Sequence, residues 1–336
     1  MIALARTLIS SLVLVSLSAA ACCSKAAALP APPPEPGQWP GGGPVASSTQ
    51  ISIGGATIQV DFAPGSFDLP TSVLLDHIHA AAEAVTTYYG RFPVTRAGIR
   101  VVPVAGESGV VQGTTWGDVR GFQGFTRLRI GQHTTTQDLA EDWTTTHELV
   151  HMAFPTQADD QHWIEEGLAT YVEPLARLQI GELNARQTWD GMVRGMPKGE
   201  PRPGDQGLDN THTWGRTYWG GALFCLTADV QIRRETGNRK SLRDALRAIV
   251  AAGGTIDNEW ELGKALAIGD RATGTHVLTQ MYAAWKDTPV SVDLPKLWAE
   301  LGVVPAGDSV DFKSDAPLAA IRNSIAGDRP TEVRQQ

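Results

Sequence analysis

The sequence predicts an α+β fold, with a β-rich N-terminal lobe at residues 49–135 and a mostly helical C-terminal lobe at residues 136–325. Two observations support this prediction. Apolar and polar residues alternate, as is typical of half-buried strands, in several segments of the first lobe. From Gln137 onward, apolar residues instead recur at intervals of three and four, which is typical of helices. The region is long enough for one large domain or two tightly packed lobes.

The first lobe begins with a predicted hairpin around Gly54-Gly55, because a two-glycine turn suits the twist of paired antiparallel strands. The predicted elements of this lobe are strands 50–53 and 56–60, a helix at 71–89, and strands 99–104 and 124–130. The second lobe is predicted to contain the helices 137–154, 161–178, 214–235, 240–252, 257–268, 273–286 and 294–301. Pro174 is expected to kink or break its helix, because proline has no amide donor.

The N-terminal segment predicts export. Residues 1–21 combine Arg6 with an apolar run that ends in small residues, the pattern of a secretory signal peptide. Cys22 follows a sequence close to a bacterial lipobox, except that Ala19 stands where leucine is usual. We favour lipid anchoring through Cys22 over simple signal cleavage or a bystander cysteine. Residues 22–48, rich in proline and glycine, are expected to form a flexible linker. The expected location is therefore a membrane-anchored lipoprotein or a secreted or periplasmic protein, and residues 326–336 are expected to be a tail.

The charge of the chain argues against a nucleic-acid-binding protein, and its cysteine content argues against a disulfide-stabilised one. The chain has 28 Lys and Arg against 36 Asp and Glu, a formal net charge of −8. Loss of residues 1–21 would remove only Arg6 among the charged residues, leaving 27 basic against 36 acidic residues, or −9. This acidic balance, with no basic run, argues against a nucleic-acid partner. Beyond Cys22 and Cys23 the only cysteine is Cys225, so no disulfide is expected inside the folded region.

The segment 146–151, Thr-His-Glu-Leu-Val-His, contains the pattern HExxH. On a helix, His147 and His151 are separated by roughly 40° around the axis and one turn along it, so both imidazoles point at a common spot. Two neutral imidazoles can hold one zinc ion there. Glu148 is turned by about 100° from His147 and is free to act as a general base on a water molecule. The alternative is a pair of histidines on an ordinary amphipathic helix.

A third ligand is expected from the helix that follows. A catalytic zinc site uses three protein ligands and leaves one position open. The loop between the two helices is short and begins with a proline, so the helices are expected to lie side by side, with a carboxylate of the second facing the histidines. His162 is a competing ligand that ranks below Glu166. The HExxHxxGxxH class is excluded, because Phe154 and Gln157 stand where its glycine and third histidine would be.

The segments HELVH and WIEEGLATYVE, residues 147–151 and 163–173, resemble the gluzincin metallopeptidases, especially the aminopeptidase-N-type family with its W-x-x-E-G-x-A-x-Y helix. The resemblance implies a thermolysin-like zincin fold with the metal in a cleft between the lobes. The interval between His151 and the glutamate is shorter than in that family. Glu165 therefore stays an alternative to Glu166 as the third ligand. The Zn2+ ligands that the resemblance implies are His147, His151 and Glu166, and the implied general base is Glu148.

A third segment, residues 216–224, resembles the Y-x-x-G-A segment in which these enzymes carry a catalytic tyrosine. The resemblance implies that Tyr218 stabilises the oxyanion of the reaction, since a phenol donor suits that task. The alternative is a tyrosine at the start of a helix whose hydroxyl binds a backbone carbonyl. The three matching segments lie in the order found in the family and span about a quarter of the chain.

These residues predict a zinc-dependent metallopeptidase that acts on a peptide or protein. The strand at 124–130 is expected to be an edge strand at the rim of the cleft, either pairing with the substrate backbone or serving as an ordinary edge. The sequence has no G-x-M-E-N segment, so the choice between aminopeptidase and endopeptidase stays open. The alternatives are a non-catalytic, peptide-binding envelope lipoprotein and a zinc hydrolase of a non-peptide bond. The presence of Glu148 favours a hydrolase.

The predicted ligands need supporting residues, because a ligating imidazole usually donates its other N–H to an oxygen. Glu173 is the preferred acceptor, since it lies seven residues after Glu166 and therefore on the same helical face. Asp142 and Thr170 are alternatives. His77 is expected to be a surface or boundary residue without a role at the metal.

Overall fold

The computed structural model describes residues 42–327. The predicted signal peptide, Cys22, most of the predicted linker and nearly all of the predicted tail lie outside the described residues. Within residues 42–327, no helix combines the length and the apolar character needed to cross a lipid bilayer.

The N-terminal part of the described chain is built on a five-stranded sheet. Its strands are β1 (Ser47–Ile53), β2 (Ala56–Phe62), β3 (Arg96–Val104), β4 (Val110–Val119) and β5 (Phe122–Gly131). Their order across the sheet is β1-β2-β3-β5-β4. The pairs β1–β2 and β4–β5 are antiparallel, whereas β2–β3 and β3–β5 are parallel. Helix α1, Thr71–Tyr89, supplies the crossover that the parallel pairing of β2 with β3 requires.

The rest of the chain is mostly helical. Its helices are α2 (Thr136–Glu141), α3 (Thr144–His151), α4 (His162–Ile180), α5 (Ala185–Gly195), α6 (Gly221–Glu235), α7 (Leu242–Ala251), α8 (Leu262–Thr273), α9 (Val277–Trp285), α10 (Leu294–Leu301) and α11 (Ala319–Ile325). A two-stranded sheet, β6 (Val303–Ala306) with β7 (Ser309–Phe312), follows α10. The predicted α+β organisation, a sheet followed by a helical part, is therefore confirmed. Strands β6 and β7 follow the last predicted helix and were not predicted, because four-residue strands carry too little periodicity to recognise.

The core forms where the sheet, α1 and the helices after β5 meet. Strand β2 alternates buried and more exposed residues, so that Ile58, Val60 and Phe62 face the core. Helix α1 buries Leu74 and Ile78. Helix α1 packs against α3 and α4, and α4 packs against α6. Helix α4 therefore runs through the interior, with neighbours on several sides.

Two predicted features of the helices differ from the structure. The helix predicted at 137–154 is divided into α2 and α3, because the Asp142 carboxylate accepts hydrogen bonds from the amides of Thr144 and Thr145 at 2.9 and 3.1 Å. A side chain that binds backbone amides in this way begins a helix. The predicted break at Pro174 does not occur, and α4 continues to Gly181, which caps it in the left-handed conformation. Burial of α4 on both sides of the proline holds it together despite the missing amide.

The predicted position of the edge strand is wrong. Residues 124–130 lie in β5, which is paired on both sides, and the edge strands of the sheet are β1 and β4, of which β4 lies next to β5. Strand β4 is difficult to recognise in the sequence because Gly113 and Gly117 interrupt its β-branched pattern. Both glycines permit close approach of other groups: a Cβ at Gly113 would lie 2.4 Å from Cγ of Glu148, and one at Gly117 would lie 2.1 Å from the carbonyl oxygen of Ile256.

Helices α4 and α6 meet through a pair of glycines. A Cβ at Gly167 would lie 2.3 Å from the Cα of Gly221, and a Cβ at Gly221 would lie 2.1 Å from the carbonyl oxygen of Trp163. Only residues without a side chain allow the two backbones to come this close. The contact fixes the position of α6, and of the chain that leads into it, relative to α4.

We predict that Gly167→Ala destabilises the protein by about 1–3 kcal/mol, because the new methyl group overlaps the backbone of α6. Gly191→Ala is the matched control. Gly191 is also helical, but a Cβ there meets nothing within 4 Å, so this change should add about 0.5–1 kcal/mol of stability. Chemical denaturation followed by circular dichroism measures both. Equal stability of the two variants would show that the helix crossing tolerates a side chain.

Candidate metal centre

The two histidines of the HExxH pattern lie on α3 and share one side of it. His147 is buried and His151 is nearly so, and their ring centroids are 4.9 Å apart. Burial lowers the pKa of His151 to about 4, so the ring is neutral at neutral pH. A neutral imidazole is the form that binds a metal ion.

The acidic residue that joins the histidines is Glu166, on the first turns of α4. Its Oε2 lies 3.0 Å from Nε2 of His147 and 3.7 Å from Nε2 of His151. Glu165, the alternative left open by the sequence, instead binds Nδ1 of His162 at 3.0 Å. The donor atoms of His147, His151 and Glu166 all lie within 4.8 Å of one another, a group that could hold a metal ion.

The geometry of this group fits a zinc ion. Ligand atoms about 2.0–2.2 Å from a tetrahedral zinc lie roughly 3.3–3.5 Å apart. The two distances from the Glu166 oxygen to the histidine nitrogens, 3.0 and 3.7 Å, lie on either side of that separation. Two imidazoles with one carboxylate are also a donor set that catalytic zinc uses. The three side chains therefore match zinc in both chemistry and spacing.

Glu148, the remaining residue of the pattern, contacts strand β4. Thr115 of β4 donates through Oγ1 to its Oε2 at 2.8 Å, and the same hydroxyl lies 3.0 Å from the Glu148 backbone carbonyl. Gly113 leaves the space that the Glu148 side chain occupies. Burial raises the pKa of the Glu148 carboxyl to about 7, with the charge of His147 opposing the shift. A carboxyl of this pKa exchanges protons readily near neutral pH.

Tyr218 lies at the same centre, although 52 residues separate it from Glu166 along the chain. Its ring stacks on His147, with centroids 6.1 Å apart and planes 18° apart. Burial, together with the negative charges of Glu166 and Glu148, raises the pKa of its hydroxyl, which stays protonated. Tyr218 belongs to a π-helical segment, Gly215–Gly220, rather than to a regular helix start. Such segments occur frequently at functional sites, because they re-aim side chains.

Residues around the centre hold the candidate ligands in place. His162 lies on the other side of Glu166, with Nε2 3.1 Å from Oε1, so three histidines surround this carboxylate. Burial alone would raise the pKa of Glu166, but the three histidines hold it well below its usual range. His77 binds Asp142 at 2.9 Å, and Asp142 in turn begins α3. His77 therefore supports α3 from the boundary of the core.

The prediction that Glu173 accepts a hydrogen bond from the second ring nitrogen of a ligand histidine is wrong. Glu173 binds Arg177 at 3.0 Å, and among the described residues nothing bonds Nδ1 of His147. Arg177 lies one turn after Glu173 on α4, where it also donates to the carbonyl oxygen of Ala140. Its fixed positive charge holds the carboxylate more strongly than a neutral imidazole N–H would.

Sequence reasoning missed the contribution of β4. Gly113 and Thr115 shape the position of Glu148, yet the strand that carries them was not predicted. The available signal was the pair of β-branched residues on each side of Gly113, Val110-Val111 and Thr114-Thr115.

Comparison with known proteins gives a match in structure only. No protein-family model matches the chain, and no curated protein matches it. An aminopeptidase N family protein from Idiomarina loihiensis superposes with a TM-score of 0.56 at 14% identity, covering 81% of this chain and 53% of that one. An M1 zinc metallopeptidase from Deinococcus radiodurans gives a TM-score of 0.47 at 17% identity, covering 75% of this chain and 52% of that one.

The first of these similarities shows that the chain shares the fold of an aminopeptidase N family protein. The chain spans about half the length of that protein. The sequence resemblance to the aminopeptidase-N-type family is therefore matched by a similarity of fold.

We predict that Glu166→Gln lowers the affinity for zinc by more than roughly 100-fold, beyond the loss expected for a supporting residue, because the amide lacks the carboxylate charge. Glu165→Gln is the matched control and should retain zinc, since its carboxylate binds His162 instead. Competition with a chromophoric chelator measures both affinities. If Glu165→Gln loses zinc and Glu166→Gln keeps it, the ligand assignment is wrong.

Proposed function

We propose that the protein is a zinc-dependent metallopeptidase of the gluzincin type. One observation carries the proposal: His147, His151 and Glu166 converge within 4.8 Å, with the buried carboxyl of Glu148 on the same helix as the histidines. A site that only bound a metal would not need an acid placed beside the ligands. The shared fold with an aminopeptidase N family protein supports the same proposal.

In this proposal His147, His151 and Glu166 hold the zinc ion. When bound, the ion polarises the scissile carbonyl and activates a water molecule for attack. The residues of the chain have separate tasks. Glu148 accepts the proton from the attacking water and delivers it to the leaving amine. Thr115 keeps the Glu148 carboxylate in one orientation through its hydrogen bond of 2.8 Å.

Tyr218 has the role of a hydrogen-bond donor to the oxyanion. Its raised pKa keeps the hydroxyl protonated, and its ring is fixed between His147 and Trp214. A donor that is already oriented when charge develops contributes more than one that must first reorganise.

The substrate that we propose is an extended peptide, which adds to one of the two edges of the five-stranded sheet. Strand β4 is that edge, and Gly113 and Thr115 bring it against Glu148. Exposed edge strands pair with peptide backbones through main-chain hydrogen bonds. A peptide bound in this way would run past the metal centre of the thermolysin-like arrangement.

We also propose the bacterial envelope as the location, with a lipid anchor at Cys22. This proposal rests on the sequence of residues 1–48 alone. A short linker of proline and glycine would allow the folded region to move at a membrane surface.

We predict that Glu148→Gln retains zinc but lowers the cleavage rate by roughly 100- to 10,000-fold, because the amide cannot accept the proton. His147→Ala should lose both zinc and activity. The measurement is cleavage of a fluorogenic peptide library, with and without a chelator, alongside the zinc content of each protein. Zinc-loaded wild type that binds peptides without cleaving them would support the non-catalytic alternative. Cleavage of esters but not peptides would support a hydrolase of another bond.

We predict that Tyr218→Phe lowers kcat by roughly 100- to 1,000-fold and leaves zinc affinity unchanged, because only the oxyanion donor is lost. Tyr282→Phe is the matched control, since the Tyr282 hydroxyl binds Asp209 at 2.7 Å, outside the metal centre. Steady-state kinetics on one cleaved peptide tests both variants. Equal kcat values for Tyr218→Phe and wild type would assign Tyr218 a packing role.

A further inference from the structure

Two tryptophans are exposed at the metal centre. Trp143 is 51% exposed and Trp214 is 45% exposed. Across residues 42–327, the other exposed large hydrophobic side chains are Val45 and Val111, so these two are the only aromatic members of the set. A large indole in water is unfavourable unless it meets a partner, and exposed aromatic side chains are enriched where proteins bind ligands.

Each tryptophan contacts a residue of the candidate site. The Trp143 ring meets His147 edge to face, with centroids 5.1 Å apart and planes 88° apart. The Trp214 ring stacks on Tyr218, with centroids 5.7 Å apart and planes 25° apart. Because His147 and Tyr218 stack on each other, the four rings form one series, with an exposed indole at each end.

The two tryptophans come from separate parts of the chain. Trp143 lies at the start of α3, and Trp214 directly precedes the π-helical segment that carries Tyr218. Lys198 adds a positive charge beside the second indole, with Nζ 5.9 Å from the Trp214 ring centre and 5.5 Å from that of Trp219. A ligand that touches Trp143 therefore also lies next to His147, and one that touches Trp214 lies next to Tyr218.

We propose that Trp143 and Trp214 form a specificity site for an aromatic or large apolar side chain next to the scissile bond. This inference rests on the proposed peptidase function. Contacts between aromatic rings stabilise a complex beyond the effect of buried area alone, and indoles lose little conformational freedom on binding. The position of both rings beside the candidate catalytic groups favours a part of the substrate as the occupant.

A membrane surface is the other ligand that exposed tryptophans suit. The formal net charge of −8 opposes approach to an anionic lipid surface. In addition, both indoles pack on residues of the metal centre, so a bilayer that bound them would cover the site. The peptide is therefore the occupant that we test first.

The experiment uses the full chain and a cleaved peptide found with the fluorogenic library, synthesised with phenylalanine or alanine on each side of the scissile bond. The variants are Trp143→Ala and Trp214→Ala, each with the conservative change to phenylalanine. Trp260→Ala is the matched control. Trp260 lies just before α8, and its ring contacts Lys264, whose Nζ is 3.6 Å from the ring centre. The readouts are the kcat/KM ratio for phenylalanine over alanine and the zinc content.

The second readout does not depend on turnover. The same tryptophan changes are made in the Glu148→Gln background, and binding of both peptides is measured by calorimetry. Each alanine change should lower the preference for phenylalanine by roughly tenfold, equivalent to about 1.4 kcal/mol, with normal zinc content. The phenylalanine variants should restore most of the preference, and Trp260→Ala should leave the preference unchanged.

An unchanged preference in both alanine variants, with peptides still cleaved, overturns the specificity site and leaves the proposed function intact. If wild type cleaves no peptide, the proposed function fails, but loss of aromatic preference in the binding assay would still support the site. Weaker binding of the tryptophan variants to vesicles of phosphatidylcholine and phosphatidylglycerol, without any change in peptide preference, would overturn the inference in favour of a membrane contact.

Discussion

The centre of this molecule depends on the convergence of histidines on one carboxylate. His147 and His151 of α3 and His162 of α4 all approach the side chain of Glu166. Ionisable groups buried in this way cost several kcal/mol each unless partners compensate for the lost hydration. The two helices must therefore be held in a single relative position, and much of the surrounding structure serves that purpose. Helix α1 packs against both of them, and the Asp142–His77 pair fixes the beginning of α3.

Close contacts at glycines set the distances between the elements that surround the candidate metal centre. Gly167 and Gly221 bring α6 against α4, and the segment that precedes α6 carries Tyr218 to Glu166. On the opposite side, Gly113 brings β4 against Glu148 and allows Thr115 to bind it. Each glycine is adjacent in sequence, or nearly so, to a residue that the proposed mechanism uses. The absence of a side chain at these positions allows candidate catalytic groups from separate elements to approach one another closely.

The chain shares the fold of an aminopeptidase N family protein, but it also has its own features. It spans about half of the aminopeptidase N family protein with which it shares its fold. It has no G-x-M-E-N segment, and its edge strand approaches Glu148 with Gly113 and Thr115. The exposed Trp143 and Trp214 add an aromatic rim to the same centre. Substrate selection by this chain would then depend on side-chain contacts at the rim.

The sequence alone determined the residues of the HExxH pattern, because a helical repeat of four residues places His147 and His151 on one side whatever the rest of the chain does. It also determined the hairpin, α1 and the change from strands to helices, since these depend on local periodicity. Tertiary structure decided between Glu165 and Glu166, which are neighbours on one helix. The packing of α4 on α3 places Glu166 beside His147 and His151, whereas Glu165 binds His162. It also decided the edge of the sheet and the partner of Glu173, because strand order and competition between buried charges depend on contacts between residues far apart in the chain.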